Sequence, residues 1–223
     1  MFNRHAIYYT PEGALADAGA SWLGWDIAGG HAVAHPQIAE LDAAELTQTP
    51  RKYGFHATIK PPFVLAESSD ATHLGDDLTR LCTRLAPVRL DGLDIRAMGR
   101  FLALTPLGDQ SALAAMAAEV VRALDAHRAR PTEDDLARRR ARPLSPAQER
   151  NLLAWGYPYV MDQFRFHITL TGPVRADPQA VAKALHNYFA PHLPRPFLID
   201  SLTLAGQDVQ GMFHEITRVP LTG

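Results

Sequence analysis

The sequence predicts an α+β protein of two like halves, with antiparallel-type sheets around a central cleft and helices outside. Three observations point there. Residues 53–63 read YGFHATIKPPF and residues 164–174 read FRFHITLTGPV, so Phe-His-x-Thr-aliphatic occurs twice, each time with proline close behind. After each copy the patterns run in one order: helix, strand, turn, strand, Pro-Leu. Phe101 follows His56 by 45 positions (101 − 56) and Phe213 follows His167 by 46 (213 − 167), so the downstream spacing matches as well.

The elements follow in order. RHAIYYT (4–10) alternates and is rich in β formers, a first strand ended by Pro11 and Gly13. Leu15, Ala18, Trp22 and Trp25 have helical spacing. GGHAVAHP reads as loop, and IAELDAAELTQTP as a short helix stopped by Pro50. Residues 51–60 carry the first motif as a strand. Residues 70–86 place Leu74, Leu78, Leu81 and Leu85 on one helical side. VRLDGLDIRAMG and RFLALTPL are two strands joined at Gly99, and SALAAMAAEVVRALDAHRA is the clearest helix. HRARPTEDDLARRRARPLSPAQER (127–150) mixes arginines, acids and prolines. There Thr132 is placed to cap one helix, with acids in its first turn, and Ser145-Pro146 to open another. The second motif strand follows, then a helix opened by Asp177-Pro178 and two closing strands. The expected organisation is one bilobal domain over 1–223, with pseudo-repeats around 56–59 and 167–170 and a helical insertion at about 127–155.

Alternation along a strand puts His56, Thr58 and Lys60 on one face, and Arg165, His167, Thr169 and Thr171 on the matching face of the second motif. Phe55, Ala57 and Ile59, and Phe164, Phe166, Ile168 and Leu170, form the apolar backs. Facing polar sides would collect two imidazoles, several hydroxyls and two cations, with no carboxylate, and that combination suits a phosphate. One neutral imidazole can take a proton from water while the other, protonated, gives one to the leaving oxygen. Thr58, Thr169, Lys60 and Arg165 would hold the non-bridging oxygens.

A single strand histidine is ordinarily structural. The duplication, with the same facial logic twice, turns the argument toward catalysis. Two histidines without a third ligand do not make a metal site, so no metal or cofactor is expected. His5 and His214 lie in strands that could present them to the cleft; the other histidines fall in loops or helices.

Composition narrows the partners. Hydrophobic content of 47% and charged content of 21% are ordinary for a globular protein, and a net charge of −2 offers no bulk attraction to nucleic acid or anionic membrane. Cys82 is the one cysteine, so an intrachain disulfide is excluded, and a core position is expected for it. No apolar run reaches the length of a membrane span, and MFNRHAIYYTPEG lacks a signal-peptide pattern; a cytoplasmic protein is the expectation.

HATI at 56–59 and HITL at 167–170 resemble the duplicated His-x-Thr/Ser-x signature of the 2H phosphoesterase superfamily. RKYGFHATIKPPF and WGYPYVMDQFRFHITLTGP resemble more particularly a bacterial branch named for phosphonate metabolism, and the resemblance spans nearly the whole chain. It implies a bilobal 2H phosphoesterase-like fold and a metal-independent hydrolase, with His56 and His167 as catalytic histidines and Thr58 and Thr169 as paired hydroxyls. The expected reaction is hydrolysis of a cyclic phosphodiester on a small phosphorylated substrate, such as 5-phosphoribosyl 1,2-cyclic phosphate. The alternatives are processing of RNA or nucleotide 2′,3′-cyclic phosphate ends, with RNA the less favoured partner, and a non-catalytic binder of phosphorylated ligands.

Overall fold

The computed structural model describes residues 2–39 and 41–223; Glu40, inside the stretch expected as a short helix, lies outside them. The framework is one antiparallel seven-stranded sheet in the order β11-β10-β1-β4-β8-β7-β6. Its strands are β1 (Arg4–Tyr9), β4 (Ala57–Phe63), β6 (Gly92–Met98), β7 (Phe101–Leu107), β8 (Ile168–Thr169), β10 (Ser201–Gln207) and β11 (Phe213–Pro220). Two small ladders flank it, β2 (Trp25–Asp26) with β3 (His31–Ala32), and β5 (Val88–Leu90) with β9 (Phe197–Ile199). The helices are α1 (Gly13–Leu23), α2 (Ala43–Leu46), α3 (Ala71–Cys82), α4 (Ser111–Ala123), α5 (Glu133–Arg140), α6 (Pro146–Trp155) and α7 (Pro178–Phe189).

The repeat is visible in which strands meet. Each copy runs strand, helix, short strand, hairpin: β4-α3-β5-β6-β7, then β8-α7-β9-β10-β11. Equivalent strands pair twice, β4 with β8 at Ala57↔Ile168 and β5 with β9 at Arg89↔Leu198. A local twofold therefore runs through both contacts. The copies exchange their hairpins: β8 of the second lies against β7 and β6 of the first, while β4 of the first shares its side of the sheet with β10 and β11 of the second. Symmetry ends at β1, which sits between β4 and β10, so β11 is left at the edge whereas β7 borders β8.

One face of the sheet is the core. Ile7, Ala57, Ile59, Leu102, Leu104, Ile168, Leu170, Leu202 and Leu204 are buried there with Trp22, Leu74, Leu78, Leu81, Leu113, Val120, Leu185 and Phe189 of the helices. Each large side chain so buried contributes about 1.5–3 kcal/mol. Cys82 is buried in the same cluster. The helix starts at Thr132, Ser145 and Asp177 are capped as expected, the first two by capping boxes, and the Asp70 carboxylate also caps α3, accepting from His73 N at 2.9 Å.

Three local expectations are corrected. Trp25, expected on the first helix, lies beyond its end at Leu23, and Trp25–Asp26 pair with His31–Ala32 of the expected loop as the β2–β3 hairpin. Residues 51–53 are a 3-10 turn, and the first motif strand runs 57–63, through Pro61 and Pro62. Prolines are tolerated there because β8 reaches β4 only at Ala57, leaving the rest of that edge unpaired. The second motif strand is only two residues long: Leu102 O accepts both Leu170 N (2.9 Å) and Thr171 N (3.2 Å), and the Thr171 hydroxyl accepts from Leu102 N at 3.0 Å. That side chain closes the ladder and is buried, so Thr171 belongs to the sheet and not to a cleft.

Candidate active site

The Ala57↔Ile168 pair orients both motifs at once. These two side chains are fully buried in the core, so their neighbours in sequence project from the opposite face. Continuing the antiparallel register by one residue sets His56 beside Thr169 and Thr58 beside His167. Two His–Thr pairs thus surround the local twofold, all four side chains partly exposed. Phe55 and Phe166 anchor the motifs from beneath, both buried in the core.

The imidazoles are held alike. His56 Nδ1 lies 2.9 Å from Gly54 O, and His167 Nδ1 lies 2.8 Å from Arg165 O. A carbonyl can only accept, so Nδ1 carries the proton in both rings and Nε2 is the free basic atom of the neutral form. His56 Nε2 is 3.1 Å from the Thr58 hydroxyl, which donates to it. Gly54 makes its side of this possible: its φ is +73° and an added Cβ would lie 2.5 Å from Ile27. Burial pushes the His56 pKa down to about 4, helped by the charge of His167, while the Gly54 carbonyl opposes the shift. Burial also lowers His167, against the Arg165 carbonyl. Both rings are therefore neutral at pH 7 in the ligand-free protein, His56 firmly so.

Lys60 is not in this group, and the expectation that it binds substrate is corrected. Tyr8 stands opposite Thr58, but Ile7 stands opposite Lys60, so a bulge in β4 breaks the alternation between them. Lys60 shares the core side with Ile7. Its ammonium, 2% exposed, donates to Asp125 Oδ1 at 3.2 Å and to Val121 O at 3.1 Å. Burial lowers its pKa to about 8 although the Asp125 carboxylate pulls the other way. Arg165 is exposed, and its guanidinium makes no ion pair or hydrogen bond among the described residues. His5 and His214 are elsewhere: His5 is buried on the Ile7 side, and His214 Nε2 is 2.8 Å from Asp208.

Aromatic walls that the motifs do not reveal complete the site. The Tyr8 ring lies on His56 with centroids 3.9 Å apart, Tyr53 is 6.1 Å from the same imidazole, and Phe213 packs against both tyrosines at 5.6 and 5.4 Å. Across the twofold, Phe101 is 5.8 Å from His167. Because the hairpins are exchanged, each repeat's phenylalanine serves the other repeat's histidine or its walls. The alternation of Arg4, Ala6 and Tyr8 in β1 was a usable signal, but only once β1 is known to neighbour β4.

Among the described residues no group of three or more His, Cys, Asp and Glu stands together as a metal site. Ser69, His127 and Asp77 form a hydrogen-bonded row (2.6 and 2.8 Å) beside a cavity of about 270 Å³. Its amide donors are already used, Ser69 N by Ala66 O and His73 N by Asp70, so the row ties the loop after β4 to the turn after α4.

Residues 58–214 match a family described as "Protein of unknown function (DUF1045)". The chain belongs to the DUF1045 family. The DUF1045 chain is 36% identical, over 99% of its length, to a ribose 1,5-bisphosphate phosphokinase PhnN from Janthinobacterium sp. (strain Marseille), and 34% identical, over 75%, to the PhnN of Laribacter hongkongensis (strain HLHK9). It spans about half of the first relative (51%) and 40% of the second. Among solved structures it is similar to one described as a phosphoesterase (14% identity, TM-score 0.44, all of both chains). It is also similar to E. coli LigT complexed with 3′-AMP (14% identity, TM-score 0.46, 99% and 98% of the chains). The fold is the expected α+β one, built on antiparallel sheets, and among the described residues no helix is long and apolar enough to cross a membrane.

Proposed function

We propose that this DUF1045 chain is a metal-independent phosphoesterase that opens a small cyclic phosphodiester with His56 as base and His167 as acid. The observation that carries the reading is the Ala57↔Ile168 pairing, which sets two like-tautomer imidazoles and two threonine hydroxyls on one face. His56, held neutral by burial, receives the proton of the attacking water at Nε2 as the water oxygen bonds to phosphorus. His167, less deeply depressed, acts as the imidazolium and delivers its Nε2 proton to the oxygen that leaves. On binding, the Thr58 hydroxyl turns from His56 Nε2 to the phosphate and frees that nitrogen for the water proton; Thr58 and Thr169 then donate to the non-bridging oxygens, and Arg165, exposed at the approach, adds charge.

The substrate favoured is 5-phosphoribosyl 1,2-cyclic phosphate. The curated relatives carry about as much chain again or more beyond the matched part, and their name specifies ribose 1,5-bisphosphate. Adding water across the P–O2 bond of the cyclic compound leaves the phosphate on O1 and a hydroxyl at C2, which is ribose 1,5-bisphosphate. A polypeptide joining that hydrolase to that kinase would hand one product to the next reaction. The test is phosphorus NMR of the cyclic compound incubated with chelator-treated protein in ¹⁸O-water. One isotope-shifted C1 phosphate monoester is the expected product; conversion only of 2′,3′-cyclic nucleotides would move the function to RNA or nucleotide ends, and no conversion of either would leave a binder.

Two further results are expected from the same preparation. Turnover survives exhaustive chelation, because two imidazoles without acids do not hold a catalytic divalent ion; loss on chelation and recovery with added metal would reject this. The profile of kcat/KM against pH is bell-shaped and lies on the acid side of neutrality. Its acid limb falls near pH 4, where His56 gains a proton, and its alkaline limb lies below the ordinary 6.5 of histidine, where His167 loses one. A flat profile from pH 4 to 8 would exclude the paired roles.

A further inference from the structure

The insertion at about 127–155 is rich in arginine, and one of its arginines has a distinctive place in the structure. Arg138 and Arg140 of α5 are each paired with an acid, Asp135 and Glu149 respectively. Arg139 has no carboxylate partner among the described residues; its guanidinium carbon lies 4.6 Å from the centre of the Tyr157 ring. Arg4 stands on the His56 face of the sheet. It shares a face of β1 with Tyr8, its Nε donates to Gln207 Oε1 at 2.7 Å, and it too has no carboxylate partner among the described residues. The Tyr8 phenol, on Arg4's face of β1, is fully buried, its ring tilted against His56, and its hydroxyl has no partner among the described residues. A buried hydroxyl left so costs about 1–3 kcal/mol, which a ligand acceptor would recover. Burial raises the Tyr8 pKa, and Tyr53, Arg4 and Tyr157 all act on it electrostatically, so the three phenols and Arg4 occupy one neighbourhood. Arg139 acts in the same way on Tyr157.

We infer that this face carries a second anion site, in which Arg4 and Arg139 bind the terminal phosphate of a small bis-anionic substrate and the Tyr8 hydroxyl donates to the bridge between its two phosphates. Guanidinium groups free of carboxylates suit a phosphate monoester, which accepts paired N–H donors. The inference rests on the cyclic-phosphate reading for the identity of the first phosphate, and it adds that the remote phosphate decides specificity. The aromatic surroundings, closed around Tyr8 and running past Tyr157 to Tyr159 alone among the described ring contacts, fit a sugar bearing two phosphates better than a polynucleotide, which would need a longer track of stacking side chains.

Calorimetry with ribose 5-phosphate tests the site without requiring turnover. The wild-type chain is expected to bind it, with Arg4→Gln and Arg139→Gln each weakening binding about tenfold or more, as loss of a charge-assisted pair predicts. Arg138→Gln, on the same helix but paired with Asp135, should stay within about twofold. His167→Ala should weaken binding less than Arg139→Gln does. No binding by the wild type, equal loss in Arg138→Gln and Arg139→Gln, or a dominant effect of His167→Ala would each overturn the inference. Where turnover is measurable, the preference for the 5-phosphorylated over the unphosphorylated ribosyl cyclic phosphate should fall about tenfold in Arg139→Gln; an unchanged preference counts against the site. Arginine-dependent binding with no turnover of any cyclic phosphate would reject the reaction and leave the anion site standing.

Discussion

His56→Ala and His167→Ala should each lower turnover of the cyclic substrate by about 10²–10⁴-fold, the range for a general base or acid. The double variant should fall little below the worse single one, because both protons move in one displacement and the second loss removes a partner already idle. Folding should be spared, since both rings sit on the partly exposed face and their anchors, Phe55 and Phe166, remain in the core. The two variants should also bend the pH profile differently. Without His56 the acid limb near pH 4 should vanish; without His167 the alkaline limb should. Full turnover by either variant, with a normal melting curve, would make the repeated Phe-His-x-Thr an architectural device.

Lys60→Ala should show the reverse, a large effect on stability and a small one on chemistry. Removing one partner of a buried ion pair leaves the other charge stranded; about 3 kcal/mol is expected, the low end of that range, because Arg128 still donates to Asp125 at 2.8 and 3.0 Å. For a chain of this size that is roughly 6–12 °C in Tm. The folded variant should keep kcat within about threefold. The pH dependence has a definite sign. Lys60 titrates near 8 in the folded chain against 10.5 when free, so between those values the unfolded state binds the additional proton and stability rises with pH. The variant should lack that rise. A variant that melts normally but turns over poorly would return Lys60 to the phosphate and discredit the bulge.

These three residues mark how far the sequence could be read. The histidines and threonines were legible because a duplicated pattern with one apolar back has only one economical arrangement, and strand alternation then fixes the face. Helices closed by capping residues, such as the pair opened by Thr132 and Ser145, were legible for the same reason: the caps are local. Lys60 was misread because a single extra residue in β4 shifts everything beyond it to the other side, and no local pattern announces a bulge. Tyr8, Tyr53, Phe101 and Phe213 were missed because their importance depends on which strands are neighbours, and β1 slipping between β4 and β10 is a property of the whole sheet. The brevity of β8 has the same origin, a threonine hydroxyl from Thr171 substituting for a backbone partner.

The exchanged hairpins also bear on how the chain is made. The first repeat emerges from the ribosome with β4 ready, but its neighbour β8 and the pairing partner of β1, β10, lie more than a hundred residues downstream. Neither half can bury its own sheet alone, so a nascent first half must wait with open strand edges until the last strands are synthesised. Such long-range pairings make for slow folding and exposed intermediates. A chain cut within the insertion should give two insoluble fragments that regain solubility only when produced together. In the longer relatives, the additional chain is joined to a unit whose sheet closes only when its last strands are made, so the order of synthesis and the order of assembly are tied.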